Sequence, residues 1–243
     1  MIRNISIIVF IMVALKGYGQ LERDVFSFNY TLAPIGNDAV DFYKTDFKIN
    51  ISFKLKKGVL INSVGYDYYQ LSYTNAPMNT EELNSFHGVN YRLTYLYPRN
   101  NKWNLSAGAG VSISSNLASS ITHEDFLFNG GITAIKKGGT YKNPSLFVFG
   151  LGYSTLAGKP SVLPLISYSR KVNNTFSYGI GFPNTYATYN LTDRSSFNAS
   201  LWQNGHYANL SNPVAVTMMD EANKASYTAI SLGLDYAYQM DDT

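Results

Sequence analysis

Hydrophobic and polar residues alternate with a period of two along most of this chain. In the segment 47–55, FKINISFKL, every odd position is apolar and every even position is polar. Successive side chains of a β-strand point to opposite faces, whereas a helix would scatter these residues around its circumference. The pattern therefore predicts strands with one apolar face and one wet face.

Eleven further runs resemble this one to different degrees. The alternation is clear at 26–32, 89–97, 103–113, 176–182 and 230–238. It is weaker at 58–73, 126–136, 145–155, 161–172, 185–192 and 196–203. The chain is therefore predicted to be all-β.

The links between the runs are of two kinds. Short links rich in turn residues lie near 56–58, 98–101 and 172–175, while 74–85, 114–125 and 204–225 predict longer loops. Within the last loop, residues 218–225 fit a short helix or a loop equally well. Short links that alternate with long ones are typical of transmembrane barrels, where tight turns face the periplasm and loops face outside.

Closure into a barrel removes the free edges that an open antiparallel sheet of this size would expose. With about 18 to 22 residues for each strand and its connection, residues 20–243 give about 10–12 strands. We therefore predict one domain over 20–243, a transmembrane antiparallel up-and-down β-barrel. A soluble secreted β-sandwich that binds a ligand or partner is the alternative fold, since its strands also alternate.

Composition favours the barrel over the sandwich. Only 14% of the residues are charged and 15% are aromatic, and the wet faces are rich in Gly, Ser and Asn. Several runs reach 10 to 14 residues, longer than the strands usual in globular sheets. Tyrosines in the strands are plausible members of the aromatic girdles that flank the apolar band of a barrel.

The first 19 residues have the layout of a signal peptide. Arg3 precedes the apolar stretch 5–15, and small residues follow up to Gly19. Eleven apolar residues are too few to cross a bilayer as a helix, which needs about 20. Two of the 19 basic residues lie in this segment, which leaves 17 basic against 16 acidic residues and no basic cluster, so nucleic acid is not an expected partner.

Three motifs in the second half of the chain, which contain glycine, proline or an aromatic residue, resemble a known family. They are the segments 156–164 (LAGKPSVLP), 178–183 (YGIGFP) and 189–191 (YNL). Together they resemble an uncharacterised family of outer-membrane β-barrel proteins from Bacteroidetes-type bacteria. The resemblance implies the fold and a location in the outer membrane of a Gram-negative cell, and it implies no catalytic residues.

Candidate chemistry is sparse. The chain has no cysteine and three histidines, His87, His123 and His206. None of the histidines has the spacing of a metal site, and no cofactor motif is present, so neither a metal nor a cofactor is expected. His206 and Ser211 are the one pair to consider for an outer-membrane lipid hydrolase, although on one strand they would face opposite sides. We therefore expect no enzymatic activity.

Five charged residues occupy, or are expected to occupy, wet-face positions inside strands and are the candidate lumen charges: Lys48, Lys54, Arg92, Arg170 and Asp235. In a barrel of this size they would pair with one another and fill the interior, or bias the passage of ions. The expected function is a structural protein or narrow, porin-like passive pore, and the alternative is a transporter or channel for small solutes. The expected partners are outer-membrane lipid and the barrel-insertion machinery.

Overall fold

A computed structural model describes residues 25–35, 40–74, 79–216 and 220–238, so the predicted signal segment 1–19 lies outside the described residues. Within these ranges the chain forms twelve strands and two single turns of 3-10 helix, at Glu81–Leu83 and His123–Asp125. The strands are β1 Phe26–Ile35, β2 Val40–Leu55, β3 Gly58–Tyr73, β4 Ser85–Pro98, β5 Trp103–Ser115, β6 Phe126–Gly139, β7 Pro144–Ser154, β8 Ser161–Lys171, β9 Phe176–Phe182, β10 Asn184–Asn190, β11 Ser195–Ala215 and β12 Glu221–Tyr238. The predicted all-β class is confirmed.

All twelve strands belong to one sheet, in which each strand lies beside the next in chain order. Every one of these neighbouring pairs is antiparallel. This is the up-and-down order that the period-two runs predicted. In the part of the chain that the structure describes, no helix is long and apolar enough to cross a membrane.

The two ends of the sheet differ in their connections. The links that leave β2, β4, β6, β8 and β10 are two to four residues long and lie together at one end, the short-turn end. The links that leave β3, β5 and β7 lie at the opposite end, the long-loop end, with the turn between β11 and β12. Asn100 and Asn173 stabilise two of the short turns by accepting hydrogen bonds from backbone amides two and three residues ahead.

Alternation divides the sheet into two faces. On β5 the positions Leu105 and Val111 lie on the outer face, and Ser112 and Ser114 lie on the inner face. Cross-strand register carries this assignment through the sheet, because directly paired residues share a face. Apolar side chains dominate the outer face, and Ile230, Leu232 and Leu234 of β12 are 77%, 78% and 82% exposed.

A contact between β5 and β11 closes strands β5 through β11 into a seven-stranded barrel. Asn209 of β11 pairs with Ser115 of β5, and the backbone N–H of Asn116 donates to the carbonyl oxygen of Asn209 at 3.2 Å. Strands β1 to β4 extend the sheet from one side of this ring, and β12 extends it from the other. Among the described residues, β1 pairs with β2 alone and β12 with β11 alone.

The described residues of the range 204–225 form strands where the sequence predicted a loop, or a short helix over 218–225; residues 217–219 lie outside the described residues. Residues 204–209 continue β11 and pair with residues 224–229 of β12, and a register irregularity follows between Asn209 and Val214. The result is a hairpin that extends well beyond the seven-residue strands β9 and β10. Residues 204–216 and 220–227 are called the hairpin cover below.

Candidate functional site

The inner face of β1 to β4 holds a network of polar side chains. The Lys44 ammonium lies 3.0 Å from a carboxylate oxygen of Asp46 and 3.2 Å from one of Asp67. Asn29 donates to Asp46 at 2.8 Å, and Asn90 donates to Asp67 at 2.6 Å. Both carboxylates are therefore satisfied by a shared cation and by neutral amides, as partly buried charges require.

Arg92 lies on the same face, next to the lysine network. Its Nη1 donates to the Oδ1 of Asn129 on β6 at 2.8 Å. The paired position on β5 is Gly110, and the next inner-face position of that strand is Gly108. A Cβ at Gly108 would lie 3.1 Å from Arg92 Nη2, so the absence of side chains there leaves room for the guanidinium.

Two cavities adjoin these residues on the inner face of the sheet. One has a volume of about 310 Å³ and the other about 240 Å³. Both are lined by Asp67, Asn90, Arg92 and Asn129. The second cavity extends to Gly205 and His206, on the underside of the hairpin cover.

On one side, the hairpin cover packs into an apolar cluster at the long-loop end. Ala208 and Leu210 of β11 are 0% and 3% exposed, and they pack with Tyr69 of β3 and Phe86 of β4. Tyr227 of β12 joins them, with its ring centroid 6.1 Å from that of Tyr69. These inner-face residues are apolar, so the interior at this end is a packed core.

On its other side, the cover is held to β5 and its loop by polar side chains. The carboxylate of Asp125 is 1% exposed and accepts a hydrogen bond from the side-chain amide of Asn209 at 2.9 Å. Asn116 accepts a bond from the backbone N–H of Ser211 at 2.9 Å. Its side-chain amide donates to the backbone oxygen and the carboxylate of Glu82. Long-range hydrogen bonds thus join the cover to the loops after β3 and β5.

Burial would raise the pKa of the Asp125 carboxyl, but hydrogen bonds outweigh this effect. The Thr122 backbone N–H donates to it at 2.6 Å, and Asn209 and Ser115 add further bonds. The pKa of Asp125 therefore lies below its usual value, and the residue is a carboxylate at neutral pH.

The structure places the five candidate lumen charges in different surroundings. Lys48 and Arg92 line the first cavity on the inner face. Lys54 is exposed beside the turn between β2 and β3. Asp235 lies opposite Asn198 on the inner side of β12, where it is exposed and accepts a bond from that residue at 3.4 Å.

The expectation for Arg170 needs correction. Ser167 and Ser169 take the inner positions of β8, because they pair with Gly181 and Gly179 of β9. Arg170 therefore shares the outer face with Ile166 and Tyr168, and it is exposed beside the turn between β8 and β9. A long charged side chain next to a turn can reach water at the rim of an apolar face, so Arg170 can occupy an outer position without burial of its charge.

Two of the three histidines, His206 and His87, pack against aromatic rings, and His123 is exposed. The His206 ring lies against that of Tyr69, with centroids 4.0 Å apart and planes tilted by 36°, and its Nε2 is buried without a hydrogen-bond partner in the described chain. Ser211 uses its backbone N–H to bond Asn116. His87 accepts or donates a bond with the Tyr66 hydroxyl at 2.7 Å on the outer face. The described residues contain no group of three acidic or histidine side chains placed to hold a metal ion.

The polar network, Arg92 and the cover were only partly visible in the sequence. Arg92 was a candidate because its run alternates cleanly. Lys44, Asp46 and Asp67 were missed because their segments do not alternate with that contrast, and Asp125 and Asn209 were missed because they lie in segments that predicted loops. A capping box, in which Thr122 is followed three residues later by the acid Asp125, is the sequence signal that could have identified Asp125.

Comparison with known proteins gives a family match. Residues 35–243 match a family described as a domain of unknown function (DUF6268). No curated protein and no solved structure matches the chain.

Proposed function

The chain belongs to the DUF6268 family of unknown function, and from this premise we propose that it is an outer-membrane β-barrel of a Gram-negative, Bacteroidetes-type bacterium. Its role is structural or that of a narrow passive pore, without catalysis. It would be exported by its signal segment, inserted by the barrel-insertion machinery and surrounded by outer-membrane lipid.

The observation that carries this proposal is the polarity of the two faces. Charged and amide side chains meet one another on the inner face, whereas Ile230, Leu232 and Leu234 point outward with little cover. A soluble protein rarely exposes a contiguous apolar surface of this extent. A lipid bilayer is the medium that would stabilise it, since hydrocarbon removes the apolar side chains from water.

The directions of the edge strands support full closure. β1 begins at the short-turn end, and β12 ends there, so the two edges run antiparallel. Their outer positions are apolar and exposed, among them Phe28, Tyr30 and Leu232. Pairing of β1 with β12 would close a barrel of twelve strands, an even number as bacterial barrels have.

The hairpin cover favours the structural role over an open channel. Its apolar cluster fills the interior at the long-loop end, and its hydrogen bonds fix it to β5. We therefore expect low conductance in a planar bilayer. A large, steady conductance would instead support the transporter or channel alternative, and detergent-free solubility would support a secreted binding module.

The two native tryptophans allow a direct test of the membrane location. Trp103 lies on the outer face, in contact with Phe149, and Trp202 lies on the inner face, against Gly233. In vesicles of brominated lipid, the W202F variant, which retains Trp103, should be quenched strongly. The W103F variant, which retains Trp202, should be quenched much less. Equal quenching of both, or failure of the folded protein to enter vesicles, would contradict the proposal.

A further inference from the structure

The two cavities on the inner face have space for a small ion and water. Their volumes of about 310 and 240 Å³ adjoin across Arg92, Asn90 and Asn129. A water molecule occupies about 30 Å³ of the liquid, so each cavity has the volume of several waters. An ion of phosphate size would fit without movement of the strands.

The two carboxylates that line the cavities already have partners. Asp46 and Asp67 line the first cavity with Lys48 and Arg92, and Asp67 lines the second with Arg92. Lys44 bridges the two carboxylates, and an amide donates to each. Among the described residues, neither carboxylate forms a salt bridge with Arg92.

Arg92 has no counterion among the described residues. Within the described chain it forms no salt bridge, and its one side-chain hydrogen bond goes to the neutral Asn129. A guanidinium carries five N–H donors, so most of them have no protein acceptor. The missing side chains at Gly108 and Gly110 keep the space beside Nη2 open.

We propose that the cavity around Arg92 binds a small oxyanion of the phosphate class. The planar guanidinium can donate two parallel hydrogen bonds to such an ion, which a point charge does not match. Asn90 and Ser112, which line the second cavity with Arg92, supply neutral polar groups. The site depends on the interior of the fold, whichever membrane or medium surrounds the outer face.

Binding is measured on the refolded full chain in detergent micelles, by equilibrium dialysis of radiolabelled inorganic phosphate at constant ionic strength. The wild type should show saturable binding of about one phosphate per chain. The Arg92→Met variant should bind at least about tenfold more weakly, because it lacks the charge and the donors. Arg92→Lys should fall between the two. Arg170→Met removes the same residue type from the outer face and should bind as the wild type does.

A second variant gives Arg92 a counterion that is part of the protein itself. Asn129→Asp keeps the shape of the side chain and places a carboxylate at hydrogen-bond distance from Arg92 Nη1. It should fold at least as well as the wild type and lose phosphate binding by at least about tenfold, since its charge competes for the guanidinium. Absence of saturable binding by the wild type, or undiminished binding by Asn129→Asp, overturns the proposal. Neither outcome depends on lipid quenching, so this site and the membrane location fail separately.

Discussion

Single polar side chains fix the position of the hairpin cover. Asp125 and Asn116 of the loop after β5 bond Asn209 and Ser211 of β11, respectively. The surrounding residues are buried, so a lost partner leaves a polar group that water does not reach. Such a group costs about 1–3 kcal/mol, more than an ordinary hydrogen bond contributes.

Replacement of Asp125 by Ala should therefore destabilise the folded chain by about 1–3 kcal/mol. The change removes the acceptor for Asn209 and the bonds to Thr122 that cap the 3-10 turn. Urea unfolding in detergent, followed by tryptophan fluorescence, measures the free energy of unfolding. Glu124→Gln is the matched control, because Glu124 forms a partly exposed ion pair with Lys224 and should matter much less. Equal effects of the two changes would contradict the role given to Asp125.

The same carboxyl predicts an acid-sensitive part of the stability. Because its folded pKa lies below the unfolded value of about 3.9, its contribution is fully present above that value. The contribution is lost as the pH falls through the lower folded pKa. The free energy of unfolding of the wild type should decrease over this window, and Asp125→Asn should decrease less. Parallel pH profiles of the two proteins would count against this linkage.

At the scale of whole elements, the sequence predicted strands well where the inner face is polar. The runs 103–113 and 176–182 lie within β5 and β9, and their inner positions are Ser, Asn or Gly. The loop prediction was wrong for residues 204–215 and 221–225, and the strand prediction missed residues 40–46 of β2. In both segments the inner positions include apolar residues of the packed cluster, such as Phe42 and Leu210. An apolar interior removes the contrast between the two faces, so the period-two signal disappears there.

The fixed cover was invisible in the sequence for a second reason. Its contacts join β11 to the loops after β3 and β5, about 85 to 130 residues away along the chain. No local pattern encodes such pairings, because each of these polar residues, taken alone, is of a type that is common in loops. The candidate site could not be predicted for the same reason. Strand register, which no local pattern encodes, brings Lys44 and Arg92 next to their partners.

Substitution of Leu210 tests whether the apolar cluster holds the hairpin cover in place. Leu210→Ala should destabilise the chain by about 2–5 kcal/mol, since the side chain is almost fully buried and its removal leaves a cavity. Amide hydrogen exchange should accelerate first in residues 204–216. Leu232→Ala on β12 is the control, because that side chain is 78% exposed and its removal leaves no cavity. If the Leu210 change leaves exchange in the cover unaltered, the cluster does not hold it.

At the scale of the whole molecule, disulfide cross-linking can test whether β1 and β12 pair and close a barrel of twelve strands. The chain contains no cysteine, so every introduced pair can be followed without background. Phe28→Cys on β1 should form a disulfide with one of Ile230→Cys, Leu232→Cys or Leu234→Cys on β12, since all four positions share the outer face. Phe28→Cys with Phe128→Cys on β6 is the control and should stay reduced. Failure of every β12 partner would mean that the edges stay apart.

The even number of strands has a consequence for the topology of the protein. The chain enters β1 at residue 26 and leaves β12 at residue 238 at the same end of the barrel. In the proposed membrane location, reporters placed just before residue 26 and just after residue 238 would therefore lie in one compartment, beside the short turns. An epitope inserted into residues 155–160 would lie on the other side of the membrane, and antibody access to intact cells would distinguish the two sides.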